Sequence, residues 1–158
     1  MFQGITEDDQ EILKQAIAQI TVLIAGADGN IDTTEVGWAT KLTTIRSYSY
    51  AEKLQAFYAT VGENFVDDVN DLIKELPPET EARTKELTWL LEELNGVFDK
   101  LENRIAVNLY ESFLSFAEHV AKASGGFLRF ASISMEEKDL ICLPMIHPVI
   151  LEISEDEL

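Results

Sequence analysis

The sequence predicts an all-α, single-domain bundle of about six to eight helices, built from two pseudo-symmetric helix–loop–helix halves. Apolar residues recur every three or four positions along most of the chain, which is the helical period. A hydroxyl or acidic residue followed three positions later by an acid, a pattern typical of helix starts, recurs at predicted boundaries. The 158 residues are enough for one continuous core. We assign residues 1–153 to the folded domain and 154–158 to an acidic tail.

Two helices flank the first predicted loop. The first runs from its capping residue, Thr6, to Ala27, and the second runs from Asp32 to about Ser47. Three apolar residues of the second helix share one face, which we expect to be buried: Trp38, Leu42 and Ile45.

Two shorter helices follow in the first half. Ser49 and Glu52 have capping-box spacing and predict the start of the third helix, which ends near Gly62. The fourth covers residues 65–76, and the proline pair at 77–78 closes it. This proline pair indicates a turn between helices rather than a domain linker.

The second half begins with an unusually long helical pattern over residues 79–124. This pattern is compatible with one long helix or with two helices. In the second case the break is expected near residues 95–96 or 99–103. A last helix is predicted from Ser134 to about Leu143, followed by an extended tail over 149–153. Because an apolar stripe of this kind forms either a core or a coiled-coil seam, the chain is predicted to be a monomer or a homodimer.

The overall charge restricts the classes of partner. Twelve basic and 29 acidic residues give a net charge of −17, which repels nucleic acids and anionic membranes and attracts cations. The longest uncharged run, residues 15–27, is shorter than the ~20 residues that a bilayer requires. We therefore expect no nucleic-acid partner and no membrane insertion. The chain shows no apolar leader at its start, which predicts a cytoplasmic protein.

Motifs typical of catalysis are lacking in the sequence. There is no phosphate-cradling glycine loop, no zinc-type Cys/His spacing and no nucleophile elbow. The single cysteine, Cys142, excludes an intramolecular disulfide and is expected to be buried and inert. We therefore predict that the protein is not an enzyme. A metal-assisted hydrolase is the remaining catalytic alternative, and it would need an open coordination position and a nearby base.

The loop after the first helix is the most informative stretch of the sequence. Gly29 and Glu35 match the glycine and the closing acid of an EF-hand calcium loop, with Ile31 at the apolar position between them. The leading acids of that pattern would fall on Ile24 and Gly26, so a full EF-hand is not predicted.

Three loop carboxylates remain: Asp28, Asp32 and Glu35. Asp28 is also a typical turn residue, and Asp32 with Glu35 has capping-box spacing, which needs no metal. If the three side chains converge, their mutual repulsion favours a bound cation; if they diverge, none is needed. Oxygen ligands favour calcium or magnesium over zinc.

A weaker copy of this pattern occurs in the second half. Residues 31–35 and 133–137 both begin with Ile and end with Glu, and Ser134 with Glu137 forms a second capping-box pattern. If the two loops lie at one end of the bundle, Glu137, together with Glu136, would face the first loop.

Two segments, residues 20–35 and 117–138, resemble in order the two signatures of the TerB-like family of tellurite-resistance proteins. The resemblance implies an all-helical fold, a bacterial cytoplasmic setting linked to stress response, and an acidic site for divalent metal, without a known reaction. Four acids occupy the corresponding positions: Asp28, Asp32, Glu35 and Glu137. Ser124 stands where the first half has its turn acid, so the resemblance does not imply two equivalent metal sites.

The predicted function is therefore a non-catalytic, TerB-like protein whose loop carboxylates bind a divalent cation, with calcium or magnesium favoured. Cation occupancy would tune docking to an unidentified protein partner. The alternative is a helical protein-interaction module in which the same acids only cap helices.

Overall fold

The structure, a computed structural model, describes residues 1–31, 33–123 and 135–153. These residues form seven helices and no strand, which confirms the predicted all-α bundle. The pseudo-symmetry of the two halves stays a prediction, because residues 124–134 lie outside the described ranges. The helices are α1 (Glu7–Ala25), α2 (Thr33–Tyr48), α3 (Glu52–Glu63), α4 (Phe65–Glu75), α5 (Thr80–Phe98), α6 (Asn103–Ala123) and α7 (Met135–Leu140).

Helix α1 is the centre of the bundle. It contacts each of the other six helices, and most of its length from Leu13 onward is buried. Aromatic residues from α3, α5 and α6 fill the space beside it, with Phe113 placed between Phe57 and Phe98 at ring-centroid distances of 6.0 and 6.1 Å. Within the described residues, no helix is both long enough and apolar enough to cross a membrane.

The long helical pattern of the second half is broken once. Residues 99–102 separate α5 from α6, which confirms the later of the two predicted break positions. The last described residues, 141–153, leave α7 and pass over this α5–α6 corner.

The start of α1 is fixed by a capping box, which confirms Thr6 as the capping residue. The Thr6 hydroxyl accepts a hydrogen bond from the Asp9 amide at 3.1 Å, and the Asp9 carboxylate accepts one from the Thr6 amide at 3.0 Å. The Lys100 ammonium donates to both Asp9 carboxylate oxygens at 2.9 and 3.0 Å. These contacts lower the pKa of Asp9 below its ordinary value. The hydrogen bond from the Thr6 amide has the largest effect, and the hydrogen bond from Lys100 has the next largest.

We expect the free energy of unfolding of Asp9→Asn to depend less on pH in the acidic range than that of the wild type. A carboxyl group with a depressed pKa stabilises the fold above its unfolded-state pKa, near 3.8, and this stabilisation is lost as the pH falls through the lower folded-state pKa. The variant should therefore be less stable than the wild type at pH 7, and the difference should shrink below about pH 4. Urea unfolding at pH 7 and pH 3 tests this. An equal difference at both pH values would contradict it.

The predicted buried face of α2 is partly wrong. Leu42 is buried, but Trp38 is 38% exposed and Ile45 is also exposed. The helix is rotated so that a different stripe faces the core, made of Glu35, Ala39, Leu42, Thr43 and Arg46. The rotation brings the Arg46 side chain into the bundle and moves Trp38 toward solvent.

Two further local predictions are wrong. Helix α3 begins at Glu52 with Ala51 as its capping residue and no side-chain cap, so Ser49 lies too early in the chain to form the predicted capping box. Cys142 is exposed rather than buried, because α7 already ends at Leu140 and the chain turns there. Leu143 enters the core instead, with a left-handed φ of 47°.

Candidate cation-binding loop

The loop between α1 and α2 begins with two tight turns. The Gly26 amide donates to the Val22 carbonyl at 3.0 Å and ends α1, and the Gly29 amide donates to the Gly26 carbonyl at 3.1 Å. Gly29 has a φ of +104°, which confirms the predicted glycine turn. Ile31 then packs against the core and fixes the end of the loop, as its apolar character predicted.

Helix α5 holds this loop from the side. The Arg83 guanidinium donates to the Gly26 carbonyl at 2.8 Å and to the Pro78 carbonyl at 3.3 Å. A Cβ atom on Gly29 would lie 3.2 Å from the Thr80 hydroxyl, so the loop backbone passes close to the first turn of α5. The loop is therefore positioned by contacts to a second element, beyond its own turns.

Asp28, the first predicted ligand, lies exposed at the tip of the loop. Its carboxylate accepts a hydrogen bond from the Asn30 amide at 3.1 Å, which is the turn-forming contact expected of an aspartate there. Asp32, the second predicted ligand, lies outside the described residues.

The other two predicted ligands are both buried. Glu35 is 1% exposed and Glu137 is 6% exposed. Each is the third residue of its helix, Glu35 in α2 and Glu137 in α7. Transfer of a carboxylate from water to such surroundings is costly unless hydrogen-bond donors or a cation hold it there.

Whether the four acids converge remains a prediction. Within residues 1–31, 33–123 and 135–153, no three His, Cys, Asp or Glu side chains are grouped so that they could hold a metal ion. Asp32 belongs to the predicted set and lies outside these ranges.

Arg46 is a buried charged residue that was not among the sequence candidates. Arg46, in the last turn of α2, is 3% exposed. Its Nη1 atom donates to the Tyr58 hydroxyl at 2.8 Å and to the carbonyl and hydroxyl oxygens of Ser112 at 2.9 and 3.1 Å. Its Nη2 atom donates to the Ser115 hydroxyl at 3.0 Å. Arg46 thus joins α2 to α3 and α6.

Three aromatic rings surround the same guanidinium group. The Arg46 Cζ atom lies 4.5, 5.1 and 5.4 Å from the ring centroids of Tyr50, Tyr58 and Phe116. Among the described residues no carboxylate pairs with Arg46, so hydroxyl groups, one carbonyl and π-faces hold its charge. Burial raises the pKa of the Tyr58 hydroxyl, and the nearby Arg46 charge opposes this rise.

A groove of about 590 Å³ lies between α2 and α6, on the side to which Trp38 turns. Lys41 and Lys122 lie at its edge together with His119, whose Nδ1 atom is 2.7 Å from the Ser115 carbonyl. The groove combines an exposed indole ring with basic groups in a chain that is strongly acidic as a whole.

No protein-family model, curated protein or solved structure matches this chain.

Proposed function

We propose that the chain is a non-catalytic, TerB-like helical protein that binds a divalent cation beside the loop between α1 and α2. Asp28, Asp32, Glu35 and Glu137 are the proposed ligands. By the same resemblance we propose a role in tellurite resistance or stress response in the bacterial cytoplasm, with cation occupancy tuning the docking of a protein partner.

The burial of Glu35 is the observation that carries the proposal. A carboxylate in the first turn of α2, 1% exposed, lies next to a loop that is fixed in space by Arg83 and Ile31. Glu137 holds the same position in α7 and is also buried. A divalent cation satisfies several such oxygens at once, which makes it the natural companion of two buried carboxylates and a loop acid.

The chemistry of the donors sets the class of ion. All four proposed ligands offer carboxylate oxygen, and hard oxygen donors suit calcium and magnesium, whereas zinc sites in proteins are richer in sulfur and nitrogen. The net charge of −17 favours the approach of any cation. We therefore propose calcium or magnesium as the resident ion.

Calorimetric titration with calcium and with magnesium tests the proposal. The wild type should show saturable binding, and both Asp28→Ala and Glu35→Gln should bind at least about tenfold more weakly, because the number of charged ligands sets the affinity. Asp99→Asn is the matched control. It removes one exposed carboxylate just beyond the end of α5 opposite to Thr80, and it should bind like the wild type. Negligible heat from all four proteins would contradict the proposal.

The second candidate function is a helical interaction module whose loop acids only cap and turn the chain. The hydrogen bond from the Asn30 amide to Asp28 favours it, as does the groove beside Trp38 with its basic edge. In that case Glu35→Gln would change neither cation binding nor the effect of a chelator on stability.

A further inference from the structure

Two asparagine side chains hold the C-terminal segment on the α5–α6 corner. Asn95, in α5, donates to the Met145 carbonyl at 3.1 Å and accepts from the His147 amide at 2.8 Å. Asn103, the first residue of α6, donates to the Ile150 carbonyl at 3.0 Å and accepts from the Glu152 amide at 2.9 Å. Each asparagine therefore binds the carbonyl of one residue and the amide of the second residue after it.

The two hydrogen bonds to Asn103 identify residues 150–152 as an extended stretch that faces α6 with one edge. In an extended chain the amide and carbonyl of a residue point to the same side, and those of its neighbours point to the other side. Because Asn103 binds Ile150 and Glu152, the amide and carbonyl of Leu151 point away from the bundle. Within the described residues, neither backbone group of Leu151 makes a hydrogen bond.

The side chains of this segment are also unusually exposed for their type. Ile150, Leu151 and Ile153 are 74%, 49% and 61% exposed. Asn103 holds this part of the chain by its backbone, so these three side chains remain in solvent, whereas Val149 packs against the core. Natural edge strands are commonly protected by lysine or proline, and residues 149–153 contain neither.

We infer that residues 149–153 form a docking edge for an extended peptide that pairs with them as a β-strand. An open strand edge binds a second strand through backbone hydrogen bonds, and exposed apolar residues on the edge contact alternate side chains of the incoming strand. The partner is a segment in which apolar residues alternate with lysine or arginine. Glu152 and the net charge of −17 select a basic strand.

A second copy of the chain fits this edge less well than a basic partner. Pairing two such segments would bring together two molecules with a charge of −17 each and would place Glu152 of both in one small sheet. The basic strand brings opposite charge to the same position.

Fluorescence anisotropy with a labelled seven-residue peptide that alternates lysine and valine tests the inference. The wild type should bind this peptide. It should not bind the glutamate–valine counterpart, and it should not bind a lysine–valine peptide that is methylated on its backbone nitrogens. Leu151→Pro removes the outward amide and should weaken binding about fivefold, the effect of one hydrogen bond. Val66→Ala is the control, because it removes an exposed apolar side chain from α4, outside residues 149–153. It should bind within about twofold of the wild type.

Asn103→Ala gives an independent readout. It releases the segment from α6, so the peptide should bind more weakly although every residue of the edge is intact. Binding that survives methylation of the peptide backbone, or that is equal in Leu151→Pro and the wild type, would overturn the inference. The inference would also be overturned if the protein did not bind the peptide but self-associated in sedimentation velocity in a way that depends on Leu151. The occupant of the edge would then be a second copy of the chain.

Discussion

Arg46→Ala is expected to destabilise the protein by about 3–4 kcal/mol, more than any other single change that we consider. The substitution removes four hydrogen bonds that join α2 to the Tyr58 hydroxyl of α3 and to Ser112 and Ser115 of α6. It also removes the cation from between three aromatic rings and leaves a cavity there. Urea unfolding followed by circular dichroism measures the change in the free energy of unfolding.

Two further variants separate geometry from charge in this contact. Arg46→Lys keeps the charge but loses the planar fork that reaches several acceptors, so its stability should fall between those of the wild type and Arg46→Ala. Lys53→Ala removes an exposed cation from α3 and should change stability by less than about 0.5 kcal/mol. If Arg46→Ala lost less than about 1 kcal/mol, the hydrogen-bonded joint would not be important for stability.

Gly26→Ala should have the second-largest effect, a loss of roughly 2 kcal/mol. A Cβ atom at this position would lie 2.8 Å from the Arg83 Nη2 atom and 3.0 Å from the Val22 carbonyl oxygen. Arg83 is held by the Gly26 and Pro78 carbonyls, so it cannot move aside without losing these bonds. Thermal and urea unfolding should both report the loss.

Gly37→Ala is the matched control for this substitution. Nothing lies within 4 Å of a Cβ atom at Gly37, which is exposed within α2. Alanine there should stabilise the protein by about 0.4–1 kcal/mol, because it restricts the unfolded chain. A similar result at both positions would show that Arg83 does not confine the backbone at Gly26.

Most of the fold follows from local signals in the sequence. The apolar period, the Thr6 cap, the proline pair at 77–78 and the glycine turn at Gly29 depend on neighbouring residues only, and the structure agrees with each of them. The exact start of α3 could not be predicted in this way, because Ser49 has the spacing of a cap but the preceding helix extends almost to it.

The wrong predictions concern side chains whose burial is determined by tertiary contacts. Trp38 is the largest apolar residue of α2. The helix is nevertheless rotated so that Arg46 is buried among hydroxyl groups and aromatic rings and Trp38 faces solvent. Arg46 does lie on the stripe of Ala39 and Leu42, so its spacing was a usable signal, although arginine is seldom buried without a carboxylate. Cys142 shows the same limit, since the turn after α7 buries Leu143 instead.

The sequence predicts which residues are candidate ligands, but it does not predict which of their side chains are buried. Loop spacing and resemblance singled out Asp28, Asp32, Glu35 and Glu137. Nothing in that spacing indicated that Glu35 and Glu137 would be buried while Asp28 is exposed. Burial depends on how α2 and α7 pack against the bundle, which is a property of the whole chain.

Diffraction from crystals grown with calcium, recorded at a wavelength where calcium scatters anomalously, tests the proposed site most directly. We expect one strong anomalous peak beside the loop between α1 and α2, with carboxylate oxygens of Glu35 and Glu137 at about 2.3–2.6 Å from it. Soaking with chelator should remove the peak and leave the helices in place. A map without a peak there, with the four carboxylates pointing to separate backbone amides, would contradict the proposed cation site and leave the acids as helix caps.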